Sequence, residues 1–329
     1  MLLMVNACYL SFADEWVQKA DMPTPRVAFG SAIVDGIIYC MGGQNKALIQ
    51  LSTMEAFDPV NNKWEQKTNM ITSRSIFAAS ALNGKIYVFG GGDGGFGVIS
   101  SVEEYDPKID KWTMKKEMPA GRDYFCSTTY DNKIFIFGGW DGNKSTSDVY
   151  AYDPIADNWE KKSDLPIVTD SGSACALNGK IYYMGGTMNI FKILQNVFEY
   201  DPEKDTWTEK TQMPNTRCGF SLNVIGNKII AIGGQSPNGT LSVMDIYDPK
   251  QDKWIEQIEM PEERSWHSSI EYQNKIYVIG GTHWWDGMLF ANIRDALTIV
   301  EEYTPNDSQF SINPQDKITS TWGSIKSTK

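Results

Sequence analysis

This 329-residue chain has few of the residues that most often bind metals or form disulfides. There are two histidines and five cysteines, and no two cysteines form a Cys-x-x-Cys pair, so we expect no structural zinc site and no disulfide framework. Four cysteines fall in segments predicted as strands, where a lone cysteine is typical of a small buried hydrophobic residue. We therefore expect no metal and no cofactor. The cysteines are Cys8, Cys40, Cys126, Cys175 and Cys218.

Positive charge is also in short supply. The chain has 30 lysines and arginines against 41 aspartates and glutamates, a net charge of −11 and an isoelectric point of about 4.8. Surfaces that bind nucleic acid or anionic lipid need clustered basic residues, so we expect neither class of partner. No apolar run is long enough for a membrane-spanning helix. Helix-period stretches are scarce, whereas glycine and aromatic residues are plentiful, and this balance predicts an all-β chain.

The N-terminal segment 1–13 is apolar and ends in small residues before Asp14. It favours a truncated export signal, although it lacks the basic stretch that opens a secretory signal. The alternative is an apolar leader that packs on the domain. The first interpretation predicts a secreted protein, periplasmic or extracellular, in preference to a cytoplasmic one.

The sequence is rich in one feature, a repeat with a period of 47 or 48 residues. Each of six copies carries a Gly-Gly pair. A tryptophan follows each of the first five pairs in a matching phase, and Trp16 stands one period ahead of Trp64. A fixed period of this length indicates a repeat architecture. The pairs begin at Gly42, Gly90, Gly138, Gly185, Gly233 and Gly280.

Residues 70–112 show the content of one copy. Asn83-Gly84 lies between two strand-like runs and is a strong hairpin signal. Asp106-Pro107 marks a second turn, because proline presets φ and aspartate bonds its own backbone. Each copy therefore predicts a four-stranded antiparallel meander. In this copy the strands are expected within 76–82, 85–89, 102–105 and 111–114.

Six such meanders together can bury the apolar faces of their sheets, which a single meander cannot do. A single meander has two faces to bury, whereas six packed face to face around an axis cover both and leave only short edges. Large aromatic residues recur in phase and predict the packing between copies, each burying roughly 150–250 Å². They stand at positions 57, 105, 152, 200, 247 and 303.

The motif order resembles the Kelch repeat. A Lys-Ile-Tyr strand ends at Gly-Gly, Tyr-Asp-Pro follows, and tryptophan comes seven residues after that tyrosine, as in 85–112 and 180–207. The resemblance covers residues 14–310 and implies a six-bladed β-propeller, with 311–329 as a C-terminal tail. Two copies depart from the pattern, since Phe57 replaces tyrosine and Thr304-Pro305 replaces Asp-Pro.

The chain ends predict how the ring closes. Residues 15–19 repeat the phase of an outermost strand, and the last copy has its first three strands only, so an N-terminal strand should complete the last blade. Phe310 is a rival, because it stands seven residues after Tyr303. We favour Trp16, since the segment before Phe310 is weakly strand-like.

A set of arginines is the first candidate for function. Five copies place an arginine four residues after the Met or Leu of the Met-Pro segment, just before the innermost strand, and the fourth copy has Thr169-Asp170 there instead. A ring of guanidinium groups at the channel mouth would attract carboxylates or phosphates. The structural alternative is that each arginine pairs with a carboxylate or carbonyl of its neighbours. The arginines are Arg26, Arg74, Arg122, Arg217 and Arg264.

The last copy supplies the second candidate, because its connection after Gly281 is longer than in the other copies. Long irregular loops are commonly functional, and aromatic faces stack on ligands. The alternative is that this loop only covers the closure seam. The candidates are His283, Trp284, Trp285 and Asp286, with Trp266 and His267 at the start of the same blade. Trp140 and Asp141 are a weaker candidate on the third blade.

These features favour a non-catalytic binding module. It is predicted to be a monomer whose channel mouth forms a face that binds a protein or an anionic ligand. The alternative is a carbohydrate-active propeller, an enzyme similar to sialic-acid epimerases or a lectin, that uses the arginines and the Trp-rich loop. A copper oxidase is poorly supported, since both histidines lie in one copy. No Ser-His-Asp arrangement is indicated, so we name no catalytic residue.

Overall fold

The computed structural model describes residues 15–95, 97–189, 192–283 and 295–305. Within these ranges the chain forms strands and turns and no helix, so no described helix could cross a membrane. Six four-stranded antiparallel sheets follow one another along the chain, and we number them blades 1 to 6. The predicted leader 1–13, the tail 311–329 and Phe310 lie outside the described residues.

The strands take the same order in every blade, from the axis outwards. The innermost strands are β2 (Gly30–Val34), β6 (Ala78–Leu82), β10 (Cys126–Tyr130), β14 (Ser173–Leu177), β20 (Ser221–Ile225) and β26 (Ser268–Tyr272). The second strands are β3 (Ile37–Met41), β7 (Lys85–Phe89), β11 (Lys133–Phe137), β15 (Lys180–Met184), β21 (Lys228–Ile232) and β27 (Lys275–Ile279). The third strands are β4 (Met54–Asp58), β8 (Val102–Asp106), β12 (Val149–Asp153), β18 (Val197–Asp201), β24 (Val243–Asp248) and β28 (Val300–Thr304).

The outermost strands complete the blades, and two short hairpins decorate blades 4 and 5. The outermost strands are β5 (Lys63–Lys67), β9 (Lys111–Lys115), β13 (Asn158–Lys162), β19 (Thr206–Lys210), β25 (Lys253–Glu259) and β1 (Glu15–Gln18). The hairpins pair β16 (Thr187–Met188) with β17 (Lys192–Ile193), and β22 (Gln235–Ser236) with β23 (Gly239–Thr240).

The tight turn between the first and second strands is where the sequence predicts it. Asn83 and Gly84 have φ of 54° and 74°, so both central residues are left-handed, as a two-residue hairpin with the twist of its strands requires. The Gly-Gly pairs serve a different purpose. A Cβ on Gly90 would lie 2.5 Å from the carbonyl oxygen of Arg122, so the main chains of adjacent blades approach too closely there for any side chain.

Adjacent blades are held together by repeated aromatic contacts. Tyr39 of blade 1 meets Tyr105 of blade 2 edge to face, with ring centroids 5.7 Å apart. Within blade 2, Trp112 packs on Tyr105 at 5.0 Å, and its Nε1 donates a hydrogen bond to the carbonyl of Thr68 in the preceding blade at 2.9 Å. The predicted role of these aromatic residues in packing between blades is confirmed.

The N-terminal strand completes blade 6, as the sequence predicts. β1 pairs antiparallel with β28, which sets Trp16 opposite Tyr303, and their rings lie 5.0 Å apart. Trp16 Nε1 donates to the carbonyl of Glu259 at 3.1 Å and so repeats the contact of the other tryptophans. Since one blade contains both ends of the propeller, opening the ring requires this blade to come apart.

Of the four cysteines that the structure describes, three lie in strands and one does not, while Cys8 lies outside the described residues. Cys40, Cys126 and Cys175 are in β3, β10 and β14, whereas Cys218 precedes β20 and forms an isolated bridge with Gln235. The four are free thiols, and burial raises the pKa of Cys40 to about 12. Such thiols stay protonated at neutral pH and pack as apolar groups.

Candidate functional site

The antiparallel order of the strands gives the propeller two different ends. We call the end with the tight turns of each blade the turn face. The loop face is the end with the connections between second and third strands and from each blade to the next. Because the innermost strands start at the loop face, the residues that precede them surround the axis there.

A closed ring of main-chain hydrogen bonds surrounds the axis at the loop face. In each blade one residue before the innermost strand is left-handed, with φ between 52° and 58°, and its N–H donates to the equivalent carbonyl of the preceding blade. The six N···O distances are between 2.5 and 3.2 Å. Because all six positions bond in sequence, the ring links every blade to the next. Its members are Ala28, Ile76, Tyr124, Ser171, Gly219 and Trp266.

Side chains of this ring close the channel. The rings of Tyr124 and Trp266 meet edge to face at 5.7 Å, and Ile76 and Ile193 pack against the same cluster. The cavity beside them is about 100 Å³. Pockets for small organic ligands are typically 300–1,000 Å³, so this cavity is smaller than such a pocket.

A larger groove of about 390 Å³ lies on the turn face of blade 1. It is lined by Tyr39, Trp64 and the charged residues of the turn between them. These are the repeated packing and turn residues of the blade, so the groove does not distinguish blade 1 by any special chemistry.

The five predicted arginines are buried inside the blades. Their exposed fraction is 0–1%, and each guanidinium donates to the carbonyl of the first glycine in its own blade's pair. Arg74, for example, donates to the Gly90 carbonyl at 2.6 Å and to the Glu103 carboxylate at 2.5 Å. Arg26, Arg217 and Arg264 pair in the same way with Glu55, Asp245 and Glu301. In this conformation the arginines present no atom to a ligand.

The internal repeats show why the arginines are there. Blade 4 lacks the arginine, having Thr169, and it also lacks the acid, because Phe198 takes that position. Tyr183 reaches into the space instead, and its hydroxyl donates to Thr169 at 3.2 Å. Arginine and acid are therefore absent together from this blade, as expected of a structural pair. Blade 3 is intermediate, since Arg122 lies 5.3 Å from the ring centre of Tyr150 and 3.6 Å from Asp148.

His267 is buried beside the channel and does not form a catalytic pair. Its Nε2 lies 2.9 Å from the Ser221 hydroxyl. Burial, with the charges of Arg264 and Arg217 as lesser causes, lowers the pKa of His267 to about 3. A general base works best with a pKa near the operating pH, so His267 is a poor base for Ser221.

His283 anchors the start of the long connection in blade 6. Its Nδ1 lies 2.6 Å from Asp295 and its Nε2 lies 2.8 Å from Glu262. Burial opposes the charged form, but the bonds to Glu262 and then Asp295 outweigh it and raise the pKa of His283. The predicted candidates Trp284, Trp285 and Asp286 lie outside the described residues.

Known families match most of the chain in phase with these blades. The Kelch motif matches residues 25–71 and 216–261, and the KLHDC2/KLHL20/DRC7 Kelch-repeats domain matches residues 67–213. The chain belongs to the Kelch-repeat propeller family. Among solved structures, one described as "Structure of YjhT" has a TM-score of 0.74 and 17% identity, covering 87% of this chain and 97% of that one. At that identity the likeness shows the fold alone. No curated protein matches the chain.

The residue that follows the arginine position differs in chemistry between the blades of this Kelch propeller. In every blade this residue pairs with the residue after the Gly-Gly pair, yet its chemistry varies from apolar to acidic. In blade order the six residues are Val27, Ser75, Asp123, Asp170, Cys218 and Ser265. Two carboxylates therefore stand next to each other, in blades 3 and 4, at the mouth of the closed channel.

The two carboxylates have unequal surroundings. Asp170 accepts hydrogen bonds from the hydroxyls of Ser145 at 2.6 Å and Ser171 at 2.8 Å, and from Thr187. Asp123 is 8% exposed, and its Oδ1 has no hydrogen-bond partner. Burial, and then the charge of Asp170, raises the pKa of Asp123 to about 7. Asp123 is not among the candidates predicted from the sequence, although an acid at this position distinguishes blades 3 and 4 from the other four.

Apolar side chains are exposed on both faces of the Kelch propeller. Leu48 and Ile49 form the tip of a loop-face connection in blade 1, with exposed fractions of 40% and 59%. On the turn face, Val60, Ile109 and Ile155 are exposed at equivalent turns of blades 1 to 3. The turn-face residues belong to a repeated turn, whereas Leu48 and Ile49 belong to a connection that differs between blades.

Proposed function

We propose that this protein is a non-catalytic binding module that docks a protein partner on its loop face. The observation that carries the proposal is the difference between the two faces. The turn between the first and second strands repeats around the ring, whereas the connections on the loop face differ in length and chemistry between blades, and the connection of blade 1 exposes Leu48 and Ile49. Variable loops held by a rigid scaffold are typical of a recognition surface.

The closed channel favours a partner that covers the face over a small ligand held in the axis. Tyr124, Trp266 and Ile76 pack together at the centre, so in the part of this face that the structure describes the accessible surface around them is shallow. Shallow surfaces with rigid aromatic residues and a mixed polar rim suit protein partners better than small molecules. Kelch membership supports the same choice.

An anionic ligand stays a prediction, and the arginines do not support it. Their charges are compensated by buried carboxylates or carbonyls, while Asp123 and Asp170 at the mouth have no cationic partner among the described residues. The carbohydrate alternative depends on Trp284 and Trp285, which lie outside those residues. We therefore propose no reaction and no sugar ligand.

Photo-crosslinking tests which face docks the partner. A photoreactive residue replaces Ile49 on the loop face in one variant and Ile109 on the turn face in the matched control. The two positions have similar exposed fractions, 59% and 67%, and both are aliphatic. Each variant is irradiated in an extract of its native cells, and crosslinked species are identified by mass spectrometry.

The proposal expects a discrete crosslinked protein from the Ile49 variant that is competed by unlabelled wild-type protein. The Ile109 variant should give only background. A competed crosslink from Ile109 with none from Ile49 would refute a loop-face binding module, and so would the absence of any competed crosslink from either.

A further inference from the structure

The junction between blades 2 and 3 lacks a contact that the junctions on either side of it have. Ser75 is met by the amide of Gln50 at 3.1 Å, and Asp170 by the hydroxyl of Ser145 at 2.6 Å, each from the preceding blade's connection. The residue equivalent to Gln50 and Ser145 in blade 2 is Val98. Valine has no donor, which explains why the Oδ1 of Asp123 is left without a partner.

A missing side chain leaves room in front of Asp123. The residue after the Gly-Gly pair carries a side chain in the other five blades, but in blade 2 it is Gly92. Gly92 does not have the left-handed φ that would demand glycine. A Cβ there would meet the Asp123 Oδ2 at 3.5 Å and otherwise only a carbonyl oxygen at 4.0 Å. Neither backbone conformation nor crowding therefore requires glycine, and its effect is a gap beside a buried carboxylate.

An aromatic side chain borders the same gap. Asp123 and Trp140 exchange two main-chain hydrogen bonds, at 3.1 and 2.8 Å. Directly paired residues of an antiparallel bridge project their side chains to the same side, so the half-buried indole of Trp140 stands beside the carboxylate. We call the gap bordered by Gly92, Asp123 and Trp140 the acidic notch.

The charges around the notch are all negative. Asp170 faces it from blade 4 and Asp93 from blade 2, and Tyr124 beside it is neutral because burial raises the pKa of its hydroxyl far above 10. Within the described ranges no lysine or arginine pairs with Asp123 or Asp170. A buried carboxylate without a cation is costly to ionise. A cation that enters the notch would therefore stabilise the ionised form of Asp123 by pairing with its carboxylate.

We propose that the acidic notch binds the ammonium or guanidinium group of a lysine or arginine side chain of the docked partner. The carboxylate of Asp123 accepts its hydrogen bonds, Asp170 adds attraction from the next blade, and the Trp140 ring offers a cation–π contact. No group of three metal-ligating side chains is found in the described residues, so the notch suits an organic cation better than a divalent metal. This inference rests on the proposed function.

The test uses side-chain mimics, because the partner is unidentified. The probes are the Nα-acetyl methylamides of lysine and arginine, with the norleucine compound as a neutral control. Binding is followed by NMR of the protein labelled with ¹³C at its aspartate carboxyl carbons, in which the Asp123 signal is assigned by its loss in Asp123→Asn.

Both cationic probes should bind the wild-type protein, and norleucine should not. The affinity should rise about tenfold between pH 6 and pH 8, because the ionised fraction of a group with a pKa near 7 rises from about a tenth to about nine tenths. Asp123→Asn should weaken binding at least tenfold and remove the pH dependence. Gly92→Ala should also weaken binding while Asp123 still titrates, since its methyl group fills the notch. Glu117→Gln, an exposed acid in the segment between blades 2 and 3 that does not border the notch, is the matched control and should change affinity less than about twofold.

Equal binding of norleucine, or undiminished binding by both Asp123→Asn and Gly92→Ala, would overturn the notch. The results that would refute the notch differ from those that would refute docking on the loop face. A partner that crosslinks from Ile49 and binds both variants with unchanged affinity leaves the binding module standing without the notch. Cationic probes that bind while only Ile109 crosslinks would keep the notch as a cation site and refute loop-face docking.

Discussion

Removing the guanidinium of Arg74 should destabilise the whole propeller. Arg74 and Glu103 are both fully buried and 2.5 Å apart, so Arg74→Ala leaves a carboxylate in the blade with no positive partner. The Gly90 and Ser101 carbonyls lose their donor as well, at 2.6 and 3.2 Å in the intact protein. Breaking a buried pair from one side typically costs about 3–5 kcal/mol.

That free energy translates into a measurable change in melting temperature. An unfolding entropy of about 2.1 cal/mol/K per residue over roughly 290 residues is about 0.6 kcal/mol/K, so Tm should fall by about 5–8 °C. Differential scanning calorimetry of wild type and Arg74→Ala at neutral pH measures it. Lys133→Ala is the matched control, because Lys133 pairs with Glu160 at the surface of the next blade, where ion pairs contribute less than about 1 kcal/mol.

A double variant distinguishes loss of the pair from loss of packing. Arg74→Met with Glu103→Gln removes both charges and keeps an acceptor for the main-chain N–H groups of Ile71 and Thr72, which bond Glu103 at 2.8 and 3.0 Å. The Gly90 and Ser101 carbonyls lose their arginine donor. This variant should recover at least half of the lost stability, to within about 2 kcal/mol of wild type. An Arg74→Ala protein that melts within about 1 °C of wild type would refute the structural role and return the arginine ring to ligand binding.

Three further predictions follow from buried or crowded groups. Burial raises the pKa of Asp123 from 3.8 to about 7, so between about pH 4 and pH 7 the folded protein holds a proton that the unfolded chain releases, and the free energy of unfolding falls as the pH rises through this range. At pH 8, Asp123→Asn should therefore be more stable than wild type by up to about 4 kcal/mol and melt at a higher temperature, and at pH 4 this difference should disappear. Gly90→Ala should cost about 3 kcal/mol in chemical denaturation, because of the close carbonyl oxygen of Arg122, whereas Gly84→Ala, in open space at a similar φ, should cost about 1 kcal/mol. Trp16→Ala should cost about 2–4 kcal/mol and increase hydrogen exchange most in β28, since it loosens the strand that closes blade 6.

Repetition explains why so much of the fold could be predicted. A residue such as Trp112 has the same neighbours in every blade, so its role can be inferred from its phase without knowledge of any contact. The closing strand was predictable for the same reason, because Trp16 has the phase of an outermost tryptophan and Trp16 is found opposite Tyr303.

Repetition also made the arginines ambiguous. A guanidinium at the start of an innermost strand can point into the channel or back into the blade, and the phase is the same in both cases. The partner acid, Glu103 for Arg74, is in the sequence too, two residues before the repeated Tyr105. Blade 4 lacks both the acid and the arginine, but blade 3 keeps Arg122 with Tyr150 at the acid position, so the sequence pattern leaves pairing open and the distance of 2.5 Å establishes it.

Asp123, in contrast to the repeated residues, could not be interpreted from its phase in the repeat. Its isolation depends on Val98 and Gly92 in the preceding blade, which lie 25 and 31 residues earlier and differ from their equivalents by chemistry rather than by phase. A single sequence indicates that Asp123 is unusual, but not that the side chain facing it is missing.

The amino-acid sequence by itself determined the number of blades, the order of their strands, the turns and the closure, because each of these depends on local conformation and on contacts repeated at a fixed period. Only the tertiary structure decided that the arginines are buried in ion pairs, that Tyr124 and Trp266 close the channel, and that Asp123 faces a gap. Those features depend on which side chains from different blades come within a few ångströms of one another, because burial and ion pairing require contact at that distance.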